Sequence, residues 1–399
     1  MNRNVENLYT IAQKEERLII GLMSGTSLDG LDIALCKIKG SGMDTQIEVI
    51  HFITVSYTND FKNKIRSVFS KKQVDLELVC LLNPWVALQH GAMILQALKQ
   101  WGINANEVDL IASHGQTIYH APKILHGIED YPNATLQIGD GDHLAVRTGI
   151  ITVSDFRQKH IAAGGEGAPL AVYGDYFVFS KVGENRIMLN IGGIANYTYL
   201  SGDLDASKIF STDIGPGNTL MDAFVQKYFN KAFDEGATIA KQGVVNNELL
   251  VALKQHNFFI QKFPKTTGPE LFNLAYLDNA ITQSGTIAIS LYDIMATLNR
   301  FSADTIVDAL KKSINNIENF AIYSSGGGMH NPLLMDQIKA AIPEFKFYTT
   351  NDLQINPDAK EAVLFAILAN ESIAGGYTPI GGDSKDIPSV TMGKISFPN

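Results

Sequence analysis

The residues able to do chemistry in this chain gather where apolar runs end. Near the start, Leu18-Ile19-Ile20-Gly21-Leu22 leads into Ser24-Gly25-Thr26-Ser27-Leu28-Asp29-Gly30, and a second apolar run, Leu31 to Ile38, follows at once. Two strands joined by such a loop predict a hairpin. The loop offers backbone N–H groups, hydroxyls and one carboxylate, which are the groups that wrap phosphate oxygens and hold a water of hydrated Mg²⁺. The same composition also serves a plain tight turn whose glycines supply positive φ. A second hairpin, Arg186 to Asn190 and Ile194 to Leu200, repeats the theme around Gly192-Gly193 without the hydroxyls. A third glycine cluster, Gly326-Gly327-Gly328, ends the run Phe320 to Tyr323 after two serines. Glycines there let backbone come close to a base and ribose. Three such clusters in two similar halves point to a nucleotide, its phosphates gripped by both hairpin turns.

Asp213 ends the predicted strand Lys208 to Thr212 and precedes Gly215-Pro216-Gly217. A carboxylate there can take a proton from an attacking hydroxyl or water. The other reading is a helix cap, but the next helix starts about five residues on, nearer Asn218. Asp222, inside that helix, reads as structural. His114, Gln116 and Thr117 tip the short run Val108 to Ala112; they can bond sugar hydroxyls, or His114 can be an ordinary loop histidine. Asp155 and Arg157 offer a carboxylate-binding guanidinium or a local salt bridge. Glu361 opens the last long helix beside Lys360, where an acidic residue serves the helix dipole. Glu166 sits in the glycine loop Ala162 to Pro169 with either kind of role open. No histidine or cysteine spacing suggests a metal site.

The elements that must hold these residues read β-β-β-α-β-α-β-α-β in the first half, an α/β arrangement with a mixed sheet. The second half opens on its hairpin, adds the strand ending at Asp213, and continues with helices over Thr219 to Phe229, Lys262 to Asn273 and Ile287 to Phe301. Asp234 to Gly243 reads as a loop, Phe345 to Thr349 as the last strand, and Asp358 to Ala374 as the last helix. At 399 residues the chain is long enough for two domains. Its net charge of −9 argues against nucleic acid or an anionic membrane as partner. Cys36 and Cys80 read as small buried hydrophobes, which favours the cytoplasm. The polar N-terminus has no signal-peptide core. The apolar stretch Leu76 to Leu98 is broken by Asn83, Pro84, Gln89 and His90, so it predicts a packed helix and no membrane span.

Taken together, these stretches resemble the anhydro-N-acetylmuramic acid kinase family of the sugar kinase, heat-shock ATPase and actin superfamily. The likeness runs from Ile19 to about Ile395 through ordered blocks. They are GLMSGTSLDG at Gly21, SHGQT at Ser113, DFR at Asp155 with AAGGEGAPL after it, LNIGGIAN at Leu189, DIGPGN at Asp213, KTTGPELFN at Lys265, SGGGMHN at Ser325 and KEAVLFA at Lys360. The resemblance implies two actin-like (ribonuclease H-like) domains around a central nucleotide and substrate cleft. Here they would span 1–180 and 181–399, the last helix packing back on the first domain. It implies a cytoplasmic homodimer that uses ATP and Mg²⁺. Its reaction would open 1,6-anhydro-N-acetylmuramic acid with water and phosphorylate oxygen 6, in murein recycling. By motif match, Asp213 is the general base and Glu361 a second carboxylate of the site. Ser24, Gly25, Thr26, Ser27, Leu28, Asp29, Gly30 and Leu31 match the ATP phosphate segment, where Asp29 would orient hydrated Mg²⁺ through water or the loop itself. Gly192, Gly193, Gly326, Gly327 and Gly328 complete the ATP site. His114, Gln116, Thr117, Asp155, Arg157, Gly215 and Asn218 contact the sugar. The chain departs from the family pattern at His160, Glu166 and Pro269, where many members carry Asp, Gln and Arg; if those positions touch the sugar's lactyl group or shape its loop, affinity would differ.

Overall fold

The structure is a computed structural model that describes residues 1–314, 320–381 and 387–399. These form two units. One holds Met1–Phe179, Asp205–Lys208 and Ala359–Asn399; the other holds Ser180–Leu204 and Ile209–Asp358.

The first unit begins with α1 (Arg3–Gln13), then three antiparallel strands, β1 (Glu16–Ser24), β2 (Gly30–Lys39) and β3 (Gln46–Ser56). Next come α2 (Asn59–Val68), α3 (Leu76–Trp101), β4 (Leu110–Ala121), α4 (Lys123–His126), β5 (Ala134–Ile138), α5 (Gly141–Thr148), β6 (Thr152–Ser154), α6 (Phe156–Ala162) and α7 (Ala171–Phe179). Thr58 caps α2 by accepting from the Phe61 N–H, and Phe61, Ile65 and Val68 bury one face. α3 continues through Pro84. Among the described residues it is the one helix long and apolar enough to cross a membrane, yet Leu82, Val86, Ile94 and Leu98 pack into the core of this unit. Cys36 is buried as expected, but Cys80 is exposed.

The second unit carries β7 (Asn185–Ile191), β8 (Ile194–Leu200), β9 (Phe210–Pro216), α8 (Thr219–Phe229), α9 (Asn247–Lys254), α10 (Leu274–Ser284), α11 (Leu291–Ser313), β10 (Phe320–Ser325), α12 (Pro332–Ala341) and β11 (Lys346–Thr349). Asn331 caps α12, its side chain accepting from the Leu334 N–H. Asp234 to Gly243 contains two short 3₁₀ turns held by the buried Asp234, which accepts from the N–H groups of Ile239 and Ala240. The helix expected over Lys262 to Asn273 does not form; that stretch is irregular. Pro264, Gly268 and Pro269 oppose a helix, and its backbone finds partners on β9 instead. The helix predicted over Ile287 to Phe301 starts at Leu291 and runs on to Ser313. The chain then returns to the first unit as α13 (Lys360–Ala374) and a further strand, β12 (Lys394–Ser396), antiparallel to β6. β12, not β11, is therefore the last strand.

Both sheets share one plan. In order they read β3-β2-β1-β4-β6 and β9-β8-β7-β10-β11, with β12 beside β6 and β5 beside β4 as additions to the first. In each, the first two neighbour pairs are antiparallel and the last two parallel. The two hairpins thus occupy equivalent places; the parallel neighbour β10 ends at the glycine cluster Gly326 to Gly328, whereas β4 carries Ser113 to Thr117 within the strand and runs on to Ala121, so these residues do not tip it.

α13 lies directly on β1. A Cβ added at Gly21 would stand 1.9 Å from the Ala362 carbonyl oxygen. Gly21→Ala is therefore expected to destabilise the protein by about 1–3 kcal/mol or more through overpacking, read as a lower denaturation midpoint in urea.

Candidate active site

The first hairpin turn is anchored from beneath. Tyr57 follows β3, and its N–H donates to the Asp29 carbonyl at 3.1 Å. Its hydroxyl donates to Ser24 Oγ at 2.7 Å, and Ser24 Oγ donates to Gln116 Oε1 at 2.5 Å. Gln116 Nε2 then donates to the carbonyls of Gly25 and Thr117. His90 Nε2 lies 2.9 Å from the Tyr57 hydroxyl. Because Tyr57 spends its proton on Ser24, His90 is the donor. Burial pulls His90 down to about 3, so it stays neutral. This chain redistributes the residues expected at ATP. Ser24, Leu28, Gly30 and Leu31 are buried; Leu28 takes φ 60° and joins the core, and Leu31 pairs with Ser24. A Cβ at Gly30 would lie 2.5 Å from the Val55 carbonyl oxygen. Thr26, Ser27 and Asp29 are exposed, with Gly25 half-buried. The exposed part of the turn thus has two hydroxyls and one carboxylate.

Also in the first unit, His114 on β4 meets Arg157 on α6, whose Nε donates to His114 Nε2 at 3.1 Å. That places the imidazole proton on Nδ1. Burial and the Arg157 charge lower His114 to about 3, which leaves it neutral. Arg157 also donates to the Gly167 carbonyl at 2.7 Å; burial draws it down to about 10, against the opposing charge of Glu361. Asp155, at φ 57°, pairs with Lys394 and not with Arg157. The local Asp155–Arg157 bridge is thus absent. Thr117 accepts from Gln137. His160 is buried, accepts the Gly167 N–H at 2.9 Å and fills the space over Gly165. The histidine at this position therefore staples the glycine loop.

α13 brings Glu361 to this neighbourhood. One turn along, Phe365 packs against both His114 and Phe156. Lys360 pairs with the buried Asp175 of α7 at 3.0 Å. Glu361 is accessible to solvent, yet the surrounding protein raises its carboxyl above the usual range, with Lys360 and Arg157 opposing.

In the second unit, the carbonyl of Gly192 accepts from the Asn218 N–H, and that of Gly193 from the N–H groups of Gly217 and Thr219. A Cβ at Gly217 would stand 2.3 Å from the Gly192 oxygen, and one at Gly326 2.8 Å from the Ile191 oxygen. Gly328 is pressed on the Ile191 side chain, while Gly327 is exposed near Asn218. Gly192, Gly193, Asn218 and Gly326 to Gly328 therefore come together at one end of the sheet. Much of the glycine requirement is internal packing.

Asp213 stands on β9, half-buried, beside the irregular loop. Its N–H donates to the Lys265 carbonyl at 2.9 Å, and its Oδ2 accepts the Thr267 N–H at 2.8 Å. Burial raises its carboxyl to about 7; the Thr267 bond and Lys265 oppose the rise, and Glu270 adds to it. α8 starts at Thr219, so Asp213 is not its cap. Gly215, two residues on, has Phe259 and Thr305 as its near neighbours. The residues that sequence reasoning left without a role are Tyr57, His90, Asp175, Lys265, Thr267 and Glu270. Only the last three had a signal, the block at Lys265.

Two units on one strand plan, two antiparallel pairs followed by two parallel pairs, define a duplicated α/β protein of the actin-like, ribonuclease H-like class. A family model described as anhydro-N-acetylmuramic acid kinase matches residues 17–391. The anhydro-N-acetylmuramic acid kinase of Pseudoalteromonas atlantica is 58% identical over 100% of both chains. That of Caldanaerobacter subterraneus subsp. tengcongensis is 39% identical over 98% of this chain and 100% of its own. One from Bacillus cereus is 38% identical, covering 95% and 99%. The chain belongs to the anhydro-N-acetylmuramic acid kinase family, and it is a sugar kinase.

Tyr57→Phe would strand the buried His90 donor and remove the donor to Ser24. A loss of about 1–3 kcal/mol is expected for a buried group left unpaired, together with weaker nucleotide binding. Denaturation and nucleotide titration of the same variant check both.

Proposed function

We propose that this kinase uses ATP to convert 1,6-anhydro-N-acetylmuramic acid and water into N-acetylmuramic acid 6-phosphate and ADP, a step of murein recycling. The observation that carries the reading is Asp213, a half-buried carboxyl raised to about 7 with one oxygen tied to a backbone N–H. A base with this pKa is ionised in the neutral range and still basic enough to take a proton. Water bonds to the anomeric carbon as Asp213 takes its proton. The bond from that carbon to oxygen 6 breaks. Oxygen 6 accepts the γ-phosphoryl group, ADP leaves, and Asp213 returns the proton to solvent. Protein catalysis of phosphoryl transfer is mainly positioning and charge neutralisation. The exposed turn Gly25 to Asp29 holds the phosphates, and Gly327 and its neighbours approach the nucleoside. Glu361 and Arg157 offer polar groups to the sugar, and His114 orients Arg157 from behind. Within the second unit, Gly215 and Asn218 offer the sugar backbone and amide groups.

Mg²⁺, when bound, neutralises phosphate charge. Among the described residues no group of three or more His, Cys, Asp or Glu could hold a metal ion. One exposed carboxylate with two hydroxyls instead fits an ion that keeps its waters and phosphate oxygens, so Asp29 would hold it through water.

Asp213→Asn is expected to cut turnover by about 10²–10⁴-fold or more while nucleotide affinity stays near normal. In the wild type, kcat/KM should fall as pH drops through about 7. A raised carboxyl is protonated more readily folded than unfolded, so its contribution to stability weakens as pH rises from its unfolded value towards about 7. The Asn variant should therefore be at least as heat-stable as wild type at pH 8. Turnover close to wild type in that variant would overturn the mechanism. With ¹⁸O-water and Mg-ATP, label should enter the anomeric hydroxyl of the product; label in phosphate would mean ATP hydrolysis instead.

A further inference from the structure

Lys265 takes no part in the steps above, yet two of its features bear on Asp213. Its backbone runs beside β9: the carbonyl accepts the Asp213 N–H at 2.9 Å, and the N–H donates to Thr212 Oγ1 at 3.0 Å. Its side chain enters an aromatic cage. Nζ lies 4.0 Å from the Phe258 ring centre, 5.2 Å from that of Phe263 and 5.8 Å from that of Phe259, and it donates to the Phe258 carbonyl at 2.8 Å. An ammonium held over ring faces and bonded to a carbonyl is a strong local anchor. Two residues on, Thr267 supplies the N–H that holds Asp213 Oδ2.

We propose that Lys265 is a positioning residue for Asp213. The cage fixes the segment from Lys265 to Thr267 against β9, so that Oδ2 is held, and the caged charge favours the ionised carboxylate that burial disfavours. The inference rests on Asp213 as the base. The charged groups around the pair set its pH behaviour. Glu270 raises Asp213 and Lys265 lowers it, while burial and Lys312 on α11 bring Lys265 itself down to about 8. Lys312 donates to the Phe259 carbonyl, next to the cage.

The test compares pH profiles of kcat/KM for wild type, Lys265→Met, Lys265→Arg and Asp213→Asn. Methionine fills an aromatic cage without charge. Its acid limb should move to higher pH by about half a unit or more, a loss of about threefold below the limb for each half unit. Arginine should leave the limb near its wild-type position. A folded Lys265→Met protein whose limb does not move overturns the proposal while Asp213→Asn remains inactive. Substantial turnover in Asp213→Asn overturns the base assignment itself, and the role of Lys265 with it. Should Lys265→Met fail to fold, Lys265→Gln is read in the same way, with nucleotide titration as the check of folding.

Discussion

The chemistry of the first unit depends on a contact between two backbones. α13 sits on β1 so closely that Gly21 has no room for a side chain. The helix meets the sheet with Ala362, Ala366 and Ala369, all fully buried and spaced to share a face. Small residues on both partners remove the cushion of flexible side chains that would let the helix shift. The same helix carries Glu361 in its first turn and Phe365 a turn later, against His114. On its other flank, Leu364 closes on Gly174 of α7, and Lys360 pairs with Asp175 of the same helix. The placement of Glu361 near Arg157 is thus inherited from packing between rigid elements.

Beneath the two hairpin turns the same difficulty, polar groups out of water, has two solutions. In the first unit the hydrogen bonds run one way, from neutral His90 through Tyr57 and Ser24 to Gln116 and then the Gly25 carbonyl. Side chains satisfy the interior, and the outer groups of the turn stay open. In the second unit, backbone satisfies backbone: the turn carbonyls take the N–H groups of Gly217, Asn218 and Thr219. Those are donors at the start of α8 that would otherwise attract an anion. One strand plan therefore supports two different turns, and the first has more to offer a phosphate.

The elements most legible in the sequence were those whose cause is local. Both hairpins follow from periodicity and turn chemistry, and so does the strand that carries Asp213, although β9 runs on through Asp213 to Pro216 instead of ending there. Cys80 was misjudged because helical spacing sets it on the side of Ile94 and Leu98, whereas the first turns of α3 are exposed. Lys262 to Asn273 was misread because Leu271 and Phe272 look helical, whereas two prolines and a glycine send the backbone to β9. Tyr57, His90 and Asp175 had no local signal. Each matters through a partner far along the chain, and only the folded sheet brings them together. The Asp155–Arg157 pair failed for the opposite reason. Nearness in sequence suggested a bridge, but the left-handed turn at Asp155 points the two side chains to different partners.

The raised carboxyls also show why tuning a base requires opposed effects. Burial alone pushes a carboxyl such as Asp213 up, towards its protonated form. A close, fully formed ion pair would do the reverse and leave a carboxylate too weak to accept a proton. Each unit keeps a cation near enough to oppose burial but commits its donors elsewhere. Lys265 donates to a carbonyl within its aromatic cage, Arg157 donates to His114 and Gly167, and Lys360 pairs with Asp175. The cations act on the carboxyls through space, without a direct bond that would hold them ionised. The fixed partners of Lys265 and Arg157 therefore set the field at the two carboxyls as much as burial does.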